Sequence, residues 1–102
     1  MAETVTMVRL YLSESDSQLA PLLKTLHDEE KVKGVTAFRG IAGFGASGKM
    51  HSSSLLDLSL DLPIVIEFFD SPDKVARILE HLSPQFDTGR MVHWSVQVNT
   101  QL

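Results

Sequence analysis

Two hydrophobic periodicities alternate along this chain, and their order constrains the fold more than any other feature. Apolar side chains at every second position, or in short unbroken runs, predict strands over residues 5–12, 34–41, 63–69 and 92–98. Aliphatic side chains at helical spacing predict helices over residues 19–33 and 72–82. This order predicts an α+β, ferredoxin-like βαββαβ sandwich, in which a four-stranded antiparallel sheet carries both helices on one face.

The predicted helix ends have recognisable sequence signals. Ser71 is suited to cap the second helix, and Pro72 fits the first helical position, where its missing N–H costs little. Gly34, preceded by two nearby lysines, is suited to end the first helix. These signals support both helices independently of their hydrophobic spacing.

The predicted strands carry apolar residues toward both faces of the sheet. The nearly continuous apolar run at residues 63–69 predicts a central strand buried on both sides. Glu67 interrupts this run, so we expect it on the sheet face without helices, paired with Arg9 of the neighbouring first strand. Trp94 is expected to be a core or interface aromatic. An uncovered apolar face predicts self-association.

Composition narrows the class of protein. The chain has 102 residues, of which 43% are hydrophobic, and this predicts one domain spanning residues 1–102 with a substantial core. A net charge of −4 without a basic stripe argues against nucleic-acid binding. No apolar run approaches the about 20 residues of a membrane span, and the first residues lack a secretory signal pattern. Together with the absence of cysteine, these features predict a cytoplasmic protein.

The segment at residues 39–54 is the strongest functional signal. Four of the six glycines of the chain lie in one nine-residue stretch of this segment, residues 40–48. Closely spaced glycines let backbone N–H groups approach an anion. Arg39, Lys49 and the hydroxyls that follow are side chains that bind anions. Long connections of this kind are either functional or ordinary mobile surface loops. We expect an anion-binding loop that is mobile without its ligand from about residue 42 to 54, with an ordinary surface loop as the alternative.

Three stretches of the chain are distinctive in composition and order. They are Val-Thr-Ala-Phe-Arg-Gly-Ile-Ala-Gly-Phe-Gly at 35–45, Gly-Lys-Met-His-Ser-Ser at 48–53, and Leu-Asp-Leu-Pro-Ile-Val-Ile-Glu at 60–67. With them, the chain resembles an uncharacterised bacterial family of PII-like proteins, related to the PII nitrogen-regulatory signal-transduction proteins. The resemblance implies a homotrimer that binds adenine nucleotides in clefts between subunits. It also implies a loop between the second and third predicted strands that docks on a target, such as a membrane transporter or an enzyme.

The resemblance also implies roles for individual residues. Gly43-Phe44-Gly45 would lie at the base of the loop, and Thr88-Gly89-Arg90 would contact phosphates bound by a neighbouring subunit. The chain departs from the PII pattern where Met91 follows this turn directly, without the usual Gly-Asp-Gly-Lys continuation. Tyr11 is the only tyrosine, so regulation by nucleotidylation of a loop tyrosine is not expected.

The function that these observations favour is a non-enzymatic PII-like regulator that binds a small anionic effector, by resemblance an adenine nucleotide, and needs no cofactor. The predicted ligand-binding residues are Arg39, Gly40, Gly43, Phe44, Gly45, Lys49, His51, Ser52, Ser53, Thr88, Gly89 and Arg90. The alternative is a metal-binding trimer that resembles the divalent-cation tolerance proteins, although the four histidines lack the spacing of helical zinc ligands. A small enzyme that uses His51, which lies beside three serines, is a third hypothesis. It ranks last because a histidine beside serines does not by itself establish catalytic geometry.

Overall fold

The structure, a computed structural model, describes residues 1–15, 18–44, 51–52, 62–86 and 89–100. Its strands are β1 Ala2–Ser13, β2 Val35–Arg39, β3 Ala42–Gly43, β4 His51–Ser52, β5 Pro63–Asp70 and β6 Met91–Asn99. Its helices are α1 Leu19–Lys24 and α2 Pro72–Leu82, followed respectively by a π-helical turn, Thr25–Glu29, and a 3-10 turn, Ser83–Gln85.

The four long strands form one antiparallel sheet in the order β2-β5-β1-β6. The two short strands, β3 and β4, pair with each other in the connection between β2 and β5. This topology confirms the predicted ferredoxin-like fold, with the two crossover connections carrying α1 and α2. The pairing of β3 with β4 was not predicted, because two-residue strands leave no periodic pattern in the sequence.

The hydrophobic core lies between the helices and one face of the sheet. The fully or nearly fully buried side chains that form it are Val8, Leu10, Leu12, Leu22, Leu26, Ile64, Ile66, Phe68, Val75, Ile78 and Leu82. Alternate residues of β1 and β5 supply one half of this cluster, and the helices supply the other half. Burial of each such side chain stabilises the fold by about 1.5–3 kcal/mol, so the two helices are held on the same face of the sheet.

The first helix ends differently from its prediction. The α-helix stops at Lys24, and the chain continues with wider turns, in which Glu30 donates its backbone N–H to the carbonyl of Thr25 at 2.9 Å. Lys31, rather than Gly34, adopts the left-handed conformation, with φ of 53°. The Lys31 carbonyl accepts a hydrogen bond from Lys74 Nζ at 2.7 Å, so contact with α2 accompanies this ending.

The second helix begins as predicted. Ser71 is its N-cap, and its side-chain oxygen accepts a hydrogen bond from the N–H of Lys74 at 3.4 Å. Pro72 is the first helical residue, and Asp73 places a carboxylate in the first turn, where the helix dipole favours it. The helix ends at Leu82, directly before Ser83–Gln85.

Two strand predictions were wrong in detail. Side chains along β5 alternate strictly between buried and half-buried, so this strand is fully buried on one face only within the chain. The apolar run at residues 63–69 obscured this alternation, because Val65 and Phe69 occupy the less buried positions. The second strand is also shorter than predicted and covers Val35–Arg39.

Candidate functional site

The sheet face that the helices leave uncovered, called the open face below, is largely apolar. Cross-strand partners share a face, so the register assigns its side chains directly. They include Val5, Met7, Arg9, Tyr11, Thr36, Phe38, Val65, Glu67, Phe69, Val92, Trp94 and Val96. Four of its large apolar side chains are exposed to solvent, with exposed fractions of 42% for Tyr11, 49% for Phe38, 39% for Val92 and 41% for Trp94.

An ion pair lies in the middle of the open face. Arg9 and Glu67 are cross-strand partners, and Arg9 Nε donates to Glu67 Oε2 at 2.6 Å. The Arg9 guanidinium also lies over the Trp94 ring, 5.6 Å from its centroid, within range of a cation–π contact. The hydrogen bond to Glu67 raises the pKa of Arg9 above its ordinary value. The predicted Arg9–Glu67 pairing is therefore confirmed, and Trp94 belongs to this face rather than to the core.

A pocket of about 240 Å³ opens beside this ion pair, where β2 begins. It is lined by Met7, Gly34, Val35, Thr36, Glu67, Phe68 and Phe69. Met7 and Phe69 are cross-strand partners, and so are Thr36 and Glu67, which places an apolar pair next to a polar pair on the open face. This arrangement suits a flat ligand with an apolar surface and a hydrogen-bonding edge.

A larger groove of about 510 Å³ adjoins this pocket at Gly34 and Val35 and runs between α1 and the start of β2. Its charged or titratable lining residues, Lys24, His27, Asp28 and Lys33, are all exposed. None of them is positioned by burial to orient a ligand, so we assign the candidate site to the smaller pocket.

A second cluster forms at the opposite end of β2, around Glu14. Arg39 donates two hydrogen bonds to the Glu14 carboxylate, from Nε to Oε1 at 3.0 Å and from Nη2 to Oε2 at 2.7 Å. Leu62 donates its backbone N–H to Glu14 Oε1 at 3.1 Å, and its carbonyl accepts the N–H of Glu14 at 2.9 Å. The Glu14 side chain thereby joins the ends of β1 and β2 to the start of β5.

Gly40 and Gly43 lie against Pro63, the first residue of β5. The Gly40 N–H donates to the Pro63 carbonyl at 2.7 Å, which continues the β2–β5 ladder by one residue. A Cβ at Gly40 would stand 2.8 Å from Pro63 Cγ, and one at Gly43 would stand 3.2 Å from it. The close approach to the proline ring therefore requires glycine at residue 40, whether or not a ligand is present.

The turn before β6 reaches the same end of the sheet. Gly89 has φ of 90°, a conformation that favours glycine, and the Arg90 carbonyl accepts the N–H of Tyr11 at 2.9 Å. Two strands, β5 and β1, separate β2 from β6. At the usual strand spacing, Arg39 and Arg90 of one chain therefore lie about 14 Å apart across the sheet.

The remaining predicted residues are only partly described. Phe44 is 69% exposed at the end of β3. His51 and Ser52 form β4, in which His51 pairs with Gly43 and Ser52 with Ala42. Gly45, Lys49, Ser53 and Thr88 lie outside the described residues.

Sequence reasoning missed Glu14 and the pocket residues Met7, Thr36 and Phe69 as parts of the candidate site. No local pattern marks them, because they meet only through the register of β1, β2 and β5. The one available signal was the Arg9–Glu67 pairing, which already implied that β1 and β5 are neighbours and that Thr36 could lie beside Glu67.

Two observations concern membranes and metals. Among the helices that the structure describes, none is long and apolar enough to cross a membrane. Within the same described residues, no three or more His, Asp or Glu side chains cluster closely enough to hold a metal ion.

The fold defined by this sheet and its two helices is that of the PII-like proteins. The chain is similar to structures of CPII, a nitrogen regulatory PII-like protein from Thiomonas intermedia K12. One of them, bound to ADP, AMP and bicarbonate, superimposes with a TM-score of 0.71 at 24% identity, over 96% of this chain and 91% of that chain. Another, bound to ADP and bicarbonate, gives a TM-score of 0.69 at 23% identity over the same shares.

The chain belongs to the family described as Uncharacterized ACR, COG1993 (DUF190), which matches residues 5–98. A UPF0166 protein of Aquifex aeolicus is 34% identical over 80 residues, which cover 74% of this chain and 76% of that protein. A UPF0166 protein of Methanocaldococcus jannaschii is 29% identical over 80 residues, or 74% of this chain and 73% of the relative. The predicted resemblance to a PII-like family is therefore confirmed.

Proposed function

We propose that this protein is a homotrimeric PII-like regulator that binds an adenine nucleotide between subunits and acts on a partner protein through the segment at about residues 40–58. The observation that carries the proposal is the pocket at the start of β2, which opens on the largely apolar open face. The adenine nucleotides bound to the structurally similar CPII support the choice of ligand. Under this proposal the protein is a signalling protein and not an enzyme.

The pocket matches the chemistry of an adenine ring. Met7 and Phe69 provide apolar surface, and Thr36 and the Glu67 carboxylate provide polar groups that can meet the edge of the base. Arg39, three residues further along β2, pairs with the core residue Ile64, so its side chain leaves the opposite face of the sheet from that of Thr36.

The phosphate-binding groups would come from two subunits. Arg39 supplies a planar donor fork suited to phosphate oxygens. The backbones of Arg90 and Arg39 lie about 14 Å apart within one chain, and we assign Arg90 to the phosphates of a nucleotide held by the neighbouring subunit. Lys49, Ser52 and Ser53 are proposed as further contacts from the connecting segment.

The open face supports assembly of the chain with itself. It presents apolar side chains on all four long strands, and both helices lie on the other side of the sheet. An apolar sheet face of this kind marks an interaction surface. The pocket opens on this face, so trimer formation would enclose a nucleotide between subunits.

Signalling would then follow from a shift between two states of the connecting segment. Nucleotide phosphates that bind Arg39 would alter the base of this segment, of which residues 45–50 and 53–61 lie outside the described residues. A partner protein would bind one state more tightly than the other, and the difference in ligand affinity between the states limits the size of the shift. A membrane transporter is one kind of target that would fit this role.

Calorimetric titration with ADP, adenosine and pyrophosphate tests the proposal directly. ADP should bind most tightly, because it alone has both a base for the pocket and phosphates for the proposed cationic contacts, whereas adenosine and pyrophosphate each have one of them. Thr36→Tyr, which fills the pocket mouth, should weaken ADP and adenosine binding but leave pyrophosphate binding unchanged. If ADP does not bind, or binds no better than pyrophosphate, the proposed nucleotide site is wrong.

A further inference from the structure

We propose that the Arg9–Glu67 ion pair makes the open face specific for a second copy of this chain, because the two charges cancel within the face itself. The inference rests on the homotrimer of the proposed function and assigns the choice of partner to two named residues. A face whose charges cancel internally meets its own copy without electrostatic repulsion. The ion pair is therefore a specificity determinant of self-assembly rather than a source of its strength.

The ion pair lies between two apolar rows of the open face. Arg9 and Glu67 are cross-strand partners on β1 and β5. Their row continues to Thr36 on β2 and to Val92 on β6. The row on one side contains Tyr11, Val65 and Phe38, and the row on the other side contains Met7, Phe69 and Trp94. A partner that covers the apolar rows must therefore desolvate both charges as well.

The ion pair is formed within one chain. Arg9 Nε lies 2.6 Å from Glu67 Oε2, and the side chains of these two residues are 44% and 22% exposed. The Arg9 guanidinium also lies 5.6 Å from the centroid of the Trp94 ring. These contacts hold the guanidinium against the sheet, which reduces the side-chain entropy that is lost when a partner covers it.

Charge decides which partner fits this face. In the three rows, the charged side chains are those of Arg9 and Glu67, so their charges sum to zero. A strongly charged partner gains no net attraction from such a face and must still desolvate the ion pair. A second copy presents the same apolar rows and the same cancelled charges, so neither copy leaves the other with an unpaired charge.

The loss of one charge has a much larger effect than the loss of the whole pair. Covering an intact ion pair costs desolvation, and the attraction between the two charges offsets most of that cost. A single charge covered by an apolar surface has no such offset. Removing either Arg9 or Glu67 alone should therefore oppose self-assembly, although the intact pair adds little to its strength.

Light scattering without added nucleotide measures this effect independently of the pocket, which Glu67 also lines. Arg9→Glu gives a face with two negative charges, and Glu67→Arg gives a face with two positive charges. Each variant should need a protein concentration about 100-fold or more above that of the parent to assemble. The double variant Arg9→Glu/Glu67→Arg restores opposite charges and should assemble within about tenfold of the parental concentration.

An equimolar mixture of the two single variants separates partner choice from an effect on the fold of one chain. A doubly negative face then meets a doubly positive one, so mixed assemblies should form at concentrations at which each variant alone is monomeric. An ion pair that served only the fold of its own chain would give no such recovery. Arg77→Glu and Glu80→Arg make the same charge changes on the exposed side of α2 and should assemble like the parent.

The outcomes are distinct from failure of the proposed function. If the parent assembles and the single variants assemble equally well, or the mixture shows no recovery, the inference is wrong while the proposed trimer stands. A folded double variant that stays monomeric also overturns it. Arg9→Gln and Glu67→Gln remove one charge without reversing it and should weaken assembly in the same direction, should the reversed-charge variants fold poorly. If the parent is monomeric, the proposed trimer fails, the open face is available to a different protein, and this inference fails as well.

Discussion

At the scale of single residues, Arg39 connects the sequence signal to the proposed chemistry. A charged hydrogen bond to a phosphate contributes about 1.5–3 kcal/mol. Arg39→Ala should therefore weaken ADP binding about 10- to 150-fold, and so should Arg90→Ala, which acts on the neighbouring site. Neither side chain belongs to the hydrophobic core, so both variants should keep the unfolding transition of the parent. Calorimetry that finds parental affinity in both variants would place the anion site elsewhere.

Gly40 makes a prediction about stability that needs no ligand. A Cβ at this position would stand 2.8 Å from Pro63 Cγ, so Gly40→Ala must shift the proline ring or the strand. Overpacking of this kind costs about 1–3 kcal/mol in the free energy of unfolding, which urea denaturation measures. Gly34→Ala is the matched control, because its Cβ would meet nothing within 4 Å. Equal stability of the two variants would show that the contact with Pro63 does not constrain residue 40.

At the scale of elements, the sequence predicted helix ends correctly where the contact that forms the end joins residues close together in the chain. The N-cap of α2 is an example, because Ser71 and Lys74 are three residues apart. Ser71→Ala should lower the free energy of unfolding by about 0.5–1 kcal/mol, toward the small end of capping effects because the bond is 3.4 Å long. Ser83→Ala is the control, since its hydroxyl only donates to the Leu79 carbonyl within an already bonded turn. A larger loss at residue 83 than at residue 71 would contradict this assignment.

Elements whose form depends on distant contacts could not be predicted. The turn that ends at Lys31 is held by Lys74, which lies 43 residues further along the chain. Glu14 and Arg39 are 25 residues apart and meet through a register that their own neighbours do not encode. The Arg9–Glu67 pair is the exception, because the predicted topology already made their strands adjacent. Sequence thus predicted the order of elements and the open face, but not the cluster at the base of the connecting segment.

At the scale of the whole molecule, the two faces of the sheet differ in what covers them. One face is covered by α1 and α2 and holds the core. The open face has apolar side chains of similar character, with the ion pair of Arg9 and Glu67 at its centre. The partly exposed Arg9–Glu67 ion pair next to Trp94 hydrates this face in the separate chain. If a second copy covers the face, the two opposite charges neutralise each other within the interface. This face therefore suits a subunit interface better than a permanently solvated surface.

The assembly itself gives the last prediction. Light scattering of the parent at micromolar concentration should give about three times the 11.3 kDa mass of one chain. Trp94→Glu places a charge in the middle of the apolar open face, where the proposed interface would have to desolvate it, so the variant should dissociate to monomers. Ala76→Glu makes the same kind of change on the exposed side of α2 and should remain trimeric. Because the pocket opens on the open face, the dissociated variant should also lose ADP affinity. A monomeric parent, or a Trp94→Glu variant that stays trimeric, would show that this face does not join the subunits, and the nucleotide would then have to be held by one chain alone.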